Sequence, residues 1–324
     1  MQTLSRRAAL LLAAALACTG AEVAAQAWPA RPVKVVGPYT AGTGIDLLAR
    51  TLGEKLGQRW GQSVVVENKP GACGNVGTAA AAKSPADGYT LVMVVNAFAI
   101  NPSLYRNVPY NPAADFVPVA SVATGALVVT VHPAVKAGSL KELVAFSKTR
   151  AGGMPYGSPG AGTPQHMATE LFRNLSGAAL VHVPYKGSAG AVTDVLSGEV
   201  GLMFMPVHTA LPFVGSGRLK ALAVASGKRS AVMPELPTLA EAGFPGAEVE
   251  MWYGLLAPAG TPRELVAKLH ADVSDVLQQP DVREKLGKQG LDPLAMSSEA
   301  FGDLIRADLA RWAKVVKEAN IGAD

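Results

Sequence analysis

Residues 33–50 constrain the chain most, because they read as a strand, a glycine-rich bend and a helix in immediate succession. Val33, Val35 and Val36 form a short buried strand that Gly37-Pro38 stops, since proline cannot donate to a sheet ladder. Ile45, Leu48, Ala49, Leu52 and Leu56 then recur at helical spacing, with Asp46 in the first turn where a carboxylate can accept open backbone N–H groups. The bend between them, Tyr39-Thr40-Ala41-Gly42-Thr43-Gly44, offers close-approach glycines and hydroxyls at a helix N-terminus, a combination suited to cradling an anion. A P-loop would need Lys-Ser/Thr after the last glycine, and a dinucleotide fingerprint would need a third glycine. Ile45-Asp46 and Leu47 supply neither, so the expected guest is smaller than a nucleotide, such as a carboxylate.

Residues 1–27 have the three parts of an export signal: Arg6-Arg7, an apolar run over residues 8–17, and the small-x-small site Ala25-Gln26-Ala27. The run is shorter than the roughly 20 residues a bilayer span needs. Cleavage near Ala27 is expected, with lipid attachment at Cys18 as the alternative. Loss of Arg6, Arg7 and Glu22 lowers the net charge from +4 to +3, and no cluster of Lys and Arg stands out, which argues against a nucleic-acid partner. The mature chain keeps one cysteine, Cys73, so stability must come from packing rather than a disulfide; with 49% apolar residues a large core is available.

Strand and helix signals alternate along the rest of the chain. Strands are expected at residues 64–67 and 90–96, with a small-residue helix at 76–82 between them, and residues 101–112 read as a proline-punctuated connection. Two apolar runs, 117–124 and 126–131, can pass from one lobe to another. A second series follows: helix 140–149, strand 155–157, helix 165–175, strand 181–184, helix 191–196 and strands 200–205 and 219–225. A return strand at 248–256 and helices at 262–277, 281–288 and 298–319 finish the chain. The alternation predicts an α/β fold of two lobes, each with a mixed, largely parallel sheet, and a central ligand cleft at the carboxyl ends of the strands. The lobes are expected to comprise residues 28–127 with 250–324, and residues 128–249.

Three further bends sit at strand-to-helix junctions: residues 156–164, residues 184–189 with Tyr185, Lys186 and Ser188, and Met205-Pro206-Val207-His208. The five histidines lack metal-site spacing, so neither metal nor cofactor is expected. A hydrolase with Ser158 as nucleophile and His166 as base is the enzymatic alternative, but Tyr156 stands where a nucleophile elbow needs glycine. The chain is therefore not read as an enzyme.

Whole-chain motifs add to this reading. They are Trp28-Pro29-Ala30-Arg31-Pro32, Gly37-Pro38-Tyr39-Thr40-Ala41-Gly42-Thr43-Gly44-Ile45-Asp46, Val64-Val65-Val66-Glu67-Asn68-Lys69-Pro70-Gly71, Asp87-Gly88-Tyr89-Thr90-Leu91, His182-Val183-Pro184-Tyr185-Lys186-Gly187 and Leu256-Ala257-Pro258-Ala259-Gly260-Thr261-Pro262. Together they resemble the periplasmic solute-binding receptors of tripartite tricarboxylate transporters, the Bug family. The resemblance implies a two-lobed type II periplasmic binding protein that closes on a small carboxylate and hands it to a membrane permease with a large and a small subunit. Presentation of the ligand to a sensor kinase is the alternative role, and the receptor is expected to act as a monomer.

Carried over residue by residue, the resemblance implies ligand contacts from Tyr39, Thr40, Ala41, Thr43 and Asp46 in the first lobe. In the second it implies Ser158, Gly160, Gly162, Thr163 and His166, with Asn96, Ala97, Tyr185 and Met205 nearby. The family's first bend usually reads Pro-Phe-Pro-Ala-Gly-Gly-Gly-Thr-Asp, from which Tyr39, Thr40, Thr43 and Ile45 depart, and Cys73 replaces a usual glycine. Met203-Phe204-Met205 stands where relatives often carry Met-Phe-Asp. Loss of that carboxylate points to a plain or aromatic carboxylate rather than an amino acid.

Overall fold

The computed structural model describes residues 28–322; the expected export signal and Cys18 lie outside the described residues. The opening strand is β1 (Val33–Gly37), paired in parallel with β2 (Val64–Asn68) and β3 (Thr90–Val95). Between β1 and β2 runs α1 (Gly44–Trp60). Its spaced apolar residues Ile45, Leu48, Ala49, Leu52 and Leu56 are all buried, and Gly61 ends it in the left-handed conformation. α2 (Asn75–Ala82) links β2 to β3, and the uninterrupted apolar run of β3 is buried on both faces.

The chain crosses to the second sheet with a single residue, Ala126, between β4 (Phe116–Gly125) and β5 (Leu127–Val131). There follow α4 (Leu140–Lys148), β6 (Met154–Ser158), α5 (Pro164–Ser176), β7 (Leu180–Pro184), α6 (Ser188–Ser197), β8 (Leu202–Pro206), α7 (Val207–Gly215) and β9 (Lys220–Val224). β10 (Met251–Pro258) returns to the first sheet, and α8 (Arg263–Gln278), α9 (Pro280–Gly287), β11 (Leu291–Pro293) and α10 (Ser298–Glu318) complete it. The strand orders are β11-β4-β10-β3-β1-β2 and β7-β6-β8-β5-β9. Parallel pairing joins β2-β1-β3 and β7-β6-β8, the strands whose carboxyl ends carry the bends. β10 and β5, which enter from the other sheet, pair antiparallel with their neighbours.

Two helices depart from the sequence reading. Residues 97–104, of which 101–104 are expected from the sequence to belong to a connection, form α3 (Ala97–Leu104), and residues 207–215 form α7; each contains a proline, Pro102 and Pro212. Proline disfavours a helix interior by about 3 kcal/mol. Burial of Ala97, Phe98, Ala99 and Ile100, with Phe98 stacked on Tyr110 at 5.5 Å and edge-on to Phe116 at 5.4 Å, outweighs it in α3.

Candidate functional site

A cavity of about 380 Å³ lies between the two sheets, lined from both sides. The first lobe contributes residues 39–45, Val95, Met251 and Tyr253. The second contributes Pro159 and residues 163–165, one face of α6 (Ser188, Ala189, Val192, Thr193, Leu196), and Pro206, His208, Thr209 and Phe213 around α7.

The lobes meet around it. Tyr105 Oη donates to the Ala161 carbonyl at 2.7 Å. Gly160 and Gly162, both at positive φ, lie so close to the first lobe that a Cβ on either would stand 2.7 Å from Cys73 Sγ or 2.5 Å from Asn101 Oδ1. These glycines permit the close approach of the lobes.

Among the described residues no Asp, Glu, Lys or Arg lines the cavity. Polarity comes from backbone and hydroxyls instead. Thr43, Gly187 and Pro206 provide no side-chain cap to α1, α6 and α7, and the first turns of all three helices border the cavity. Uncapped helix N-termini present N–H groups and the positive end of the helix dipole, each interaction with an anion contributing about 0.3–1 kcal/mol, and up to about 2 where partly buried. The Thr43 hydroxyl instead donates to the Thr40 carbonyl at 3.0 Å, tightening the bend. Burial pushes the Tyr39 and Tyr253 hydroxyls above their ordinary range, so both stay protonated. Apolar side chains of both lobes complete the lining: Val95 and Met251 from the first, Val192, Leu196 and Phe213 from the second.

Of the ligand contacts that the resemblance implies, Tyr39, Thr40, Ala41, Thr43 and Thr163 line this cavity, as do Ser188, Pro206 and His208 of the other two bends. The other implied contacts do not, and each has a different role. Asp46 accepts the Gly42 N–H at 3.0 Å and Arg50 Nε at 2.9 Å, shaping the bend from behind. Burial alone would raise its pKa, but the hydrogen bonds from Arg50 and Gly42 outweigh this and hold the carboxyl below its usual range. Asn96 joins β3 to β10 and α10 through the Glu250 carbonyl, the Trp252 N–H and Asp308, and Ala97 is packed at the start of α3. Gly160 and Gly162 serve the seam between lobes. His166 Nδ1 accepts the Gly162 N–H at 3.2 Å while its ring stacks on His182, centroids 4.1 Å apart. Ser158 is fully buried, 2.6 Å from His182 Nε2, and neither it nor His166, the imagined nucleophile and base, lines the cavity. Tyr185 packs its ring by Gly157 and Gly190 and donates to Asp194. Met205 is fully buried in the second lobe's core.

Sequence reasoning passed over Val95, Gln165, Val192, Thr193, Leu196, Thr209, Phe213, Met251 and Tyr253. Val192 and Leu196 recur four apart on α6, a signal of one shared face but not of what that face meets. His208 was part of a recognised bend, yet only the contact between lobes brings it to the cavity.

Residues 48–321 match the family described as tripartite tricarboxylate transporter family receptor. Protein BugT of Bordetella pertussis is 38% identical over 306 residues, covering 94% of each chain. Among solved structures, Rpa4515 of R. palustris with adipate is 36% identical with a TM-score of 0.88, covering 91% of this chain and 99% of that one. MatC (Rpa3494) of Rhodopseudomonas palustris with bound malate is 30% identical with a TM-score of 0.84, covering 89% and 100%. The two-lobed α/β architecture is that of the periplasmic binding proteins.

Proposed function

The chain belongs to the tripartite tricarboxylate transporter receptor family, and on that premise we propose that it is a periplasmic receptor that closes on a small carboxylate and delivers it to a membrane permease with a large and a small subunit. The observation that carries this reading is the cavity between the lobes: helix N-termini from both sides border it and no charged side chain lines it among the described residues. Its volume of about 380 Å³ falls within the ~300–1,000 Å³ range of small-molecule sites. Contacts made to both lobes favour the closed form, and ligand occupancy thereby becomes a shape a permease can read. The moving bodies are residues 28–127 with 250–324, and residues 128–249, hinged near Ala126 and the start of β10. The receptor acts as a monomer.

The lining also bears on ligand class. Among the described residues no carboxylate lines the cavity to receive an ammonium group, and its apolar side chains suit an aliphatic or aromatic body, so a plain carboxylate fits better than an amino acid. Met205 has no part in this selectivity, because its side chain is in the core. Adipate and malate, named with the two solved relatives, are suitable first probes.

The test is a thermal-shift screen of small mono- and dicarboxylates beside amino acids and sugars. A ligand at a hundredfold excess over its Kd stabilises the folded form by about 2.7 kcal/mol, a readable shift in Tm. Stabilisation by carboxylates supports the proposal; a response to amino acids or sugars with none to carboxylates overturns it.

A further inference from the structure

We propose that His208 is the second lobe's side-chain contact to the ligand carboxylate, its Nε2 meeting the anion bordered on the other side by the open first turn of α1 at Gly44 and Ile45. The inference rests on the carboxylate-receptor reading and names the residue that sets its charge recognition.

His208 sits in the first turn of α7, lines the cavity, and turns its Cε1 edge toward Gly44 of the opposite lobe, 2.9 Å from where a Cβ on that glycine would stand. Among the described residues its Nε2 is sealed from water and has no hydrogen-bond partner. An unsatisfied buried nitrogen costs about 1–3 kcal/mol, a cost that a partner entering with the ligand recovers. A carboxylate at the α1 N-terminus supplies it. No other imidazole and no Lys or Arg lines the cavity among the described residues, so His208 is the side chain there that can become a cation.

Burial pushes the free imidazole down to about 4, so it is neutral before the ligand enters. An adjacent carboxylate favours the imidazolium, and binding is then accompanied by transfer of a proton from buffer to the ring. The titratable group beside it is the Tyr253 hydroxyl on β10, which shares the space over Gly44 with the ring, while the Tyr39 hydroxyl, also of the cavity lining, donates to the Cys73 carbonyl. Asp46, one turn into α1, is engaged by Gly42 and Arg50, and β5 and β8 beneath α7 carry no titratable side chain.

The experiment titrates adipate calorimetrically into the wild type, His208→Gln and His208→Leu at pH 6.5, in two buffers of different ionisation heat. Expected are proton uptake by the wild type, none by either variant, and affinity falling about tenfold or more for Leu with Gln between. A nuclear magnetic resonance titration of the wild type adds a readout free of substitutions: adipate should displace the His208 Cε1–H signal. Leu binding within twofold of wild type, or an unmoved His208 signal at saturation, overturns the proposal while leaving the receptor reading intact. Failure of the wild type to bind adipate, malate or any other small carboxylate removes both.

Discussion

Gly44 of the first lobe and His208 of the second touch across the cavity: a Cβ on Gly44 would stand 2.9 Å from the histidine Cε1 and 2.6 Å from the Tyr253 hydroxyl oxygen. Closure therefore depends on a hydrogen atom at position 44. Gly44→Ala should hold the lobes apart, because overpacking costs about 1–3 kcal/mol and opening relieves the clash with His208. The contact with Tyr253 lies within the first lobe and persists on opening, so the Tm of the free protein should fall as well. Carboxylate affinity, measured where the variant is folded, is expected to fall about tenfold or more; unchanged affinity by calorimetry would place closure elsewhere.

Asp46 tests whether a residue behind the bend controls binding. Its carboxylate holds the Gly42 N–H and Arg50 in place, and charged hydrogen bonds of this kind contribute about 1.5–3 kcal/mol. Asp46→Ala should lower stability by an amount of that order and weaken binding without removing a ligand contact. Because the folded-state carboxyl titrates below its unfolded value, the contribution is present above about pH 4 and is lost as pH falls through the lower folded value. Denaturant curves of wild type and variant should converge on acidification; a constant gap would contradict the assigned role.

His208 gives a second pH signature of the same sign, in a higher pH window, in the free protein. The unfolded chain protonates its imidazole near pH 6.5, the folded chain only near pH 4. Stability attributable to this group is therefore full above about 6.5 and falls as pH drops toward 4, by up to about 1.4 kcal/mol per pH unit. His208→Gln should flatten that slope relative to wild type, and saturating ligand should flatten it too. Identical slopes in urea titrations of wild type and variant would show that the ring is not desolvated.

Cys73 reports on the lobes themselves. Its backbone is left-handed, φ 52°, its thiol is pushed up by burial, and its Sγ lies where a Cβ on Gly160 would clash at 2.7 Å. In a chain beginning at residue 28 it is the single thiol. Alkylation requires the thiolate and access, so the rate should fall several-fold when a carboxylate holds the lobes shut. A rate indifferent to ligand, followed by mass spectrometry, would contradict opening at this seam.

The fold was legible where a pattern had a single physical cause. The helical spacing of Ile45, Leu48, Leu52 and Leu56 and the continuous run of β3 correspond to α1 and a doubly covered strand. α3 and α7 were hidden by Pro102 and Pro212, since the tertiary burial that outweighs proline has no local signature. The three-residue β11 is too short to carry a period. The first bend pointed to the cavity because its glycines and hydroxyls are contiguous. Ser158, His166, Tyr185 and Met205 look equally polar or prominent in sequence, but in the fold they support the second lobe from behind. Tyr253 and His208 reach the cavity only once two sheets far apart in the chain are brought face to face, which no local window records.

The most direct test of the account is a calorimetric titration of the mature chain with the small carboxylate giving the largest thermal shift, repeated with Gly44→Ala. The account predicts one site per chain in the wild type and a weakening of about tenfold or more in the variant. Absence of saturable carboxylate binding in the wild type, or equal affinity in both proteins, would contradict capture of an anion between the two lobes.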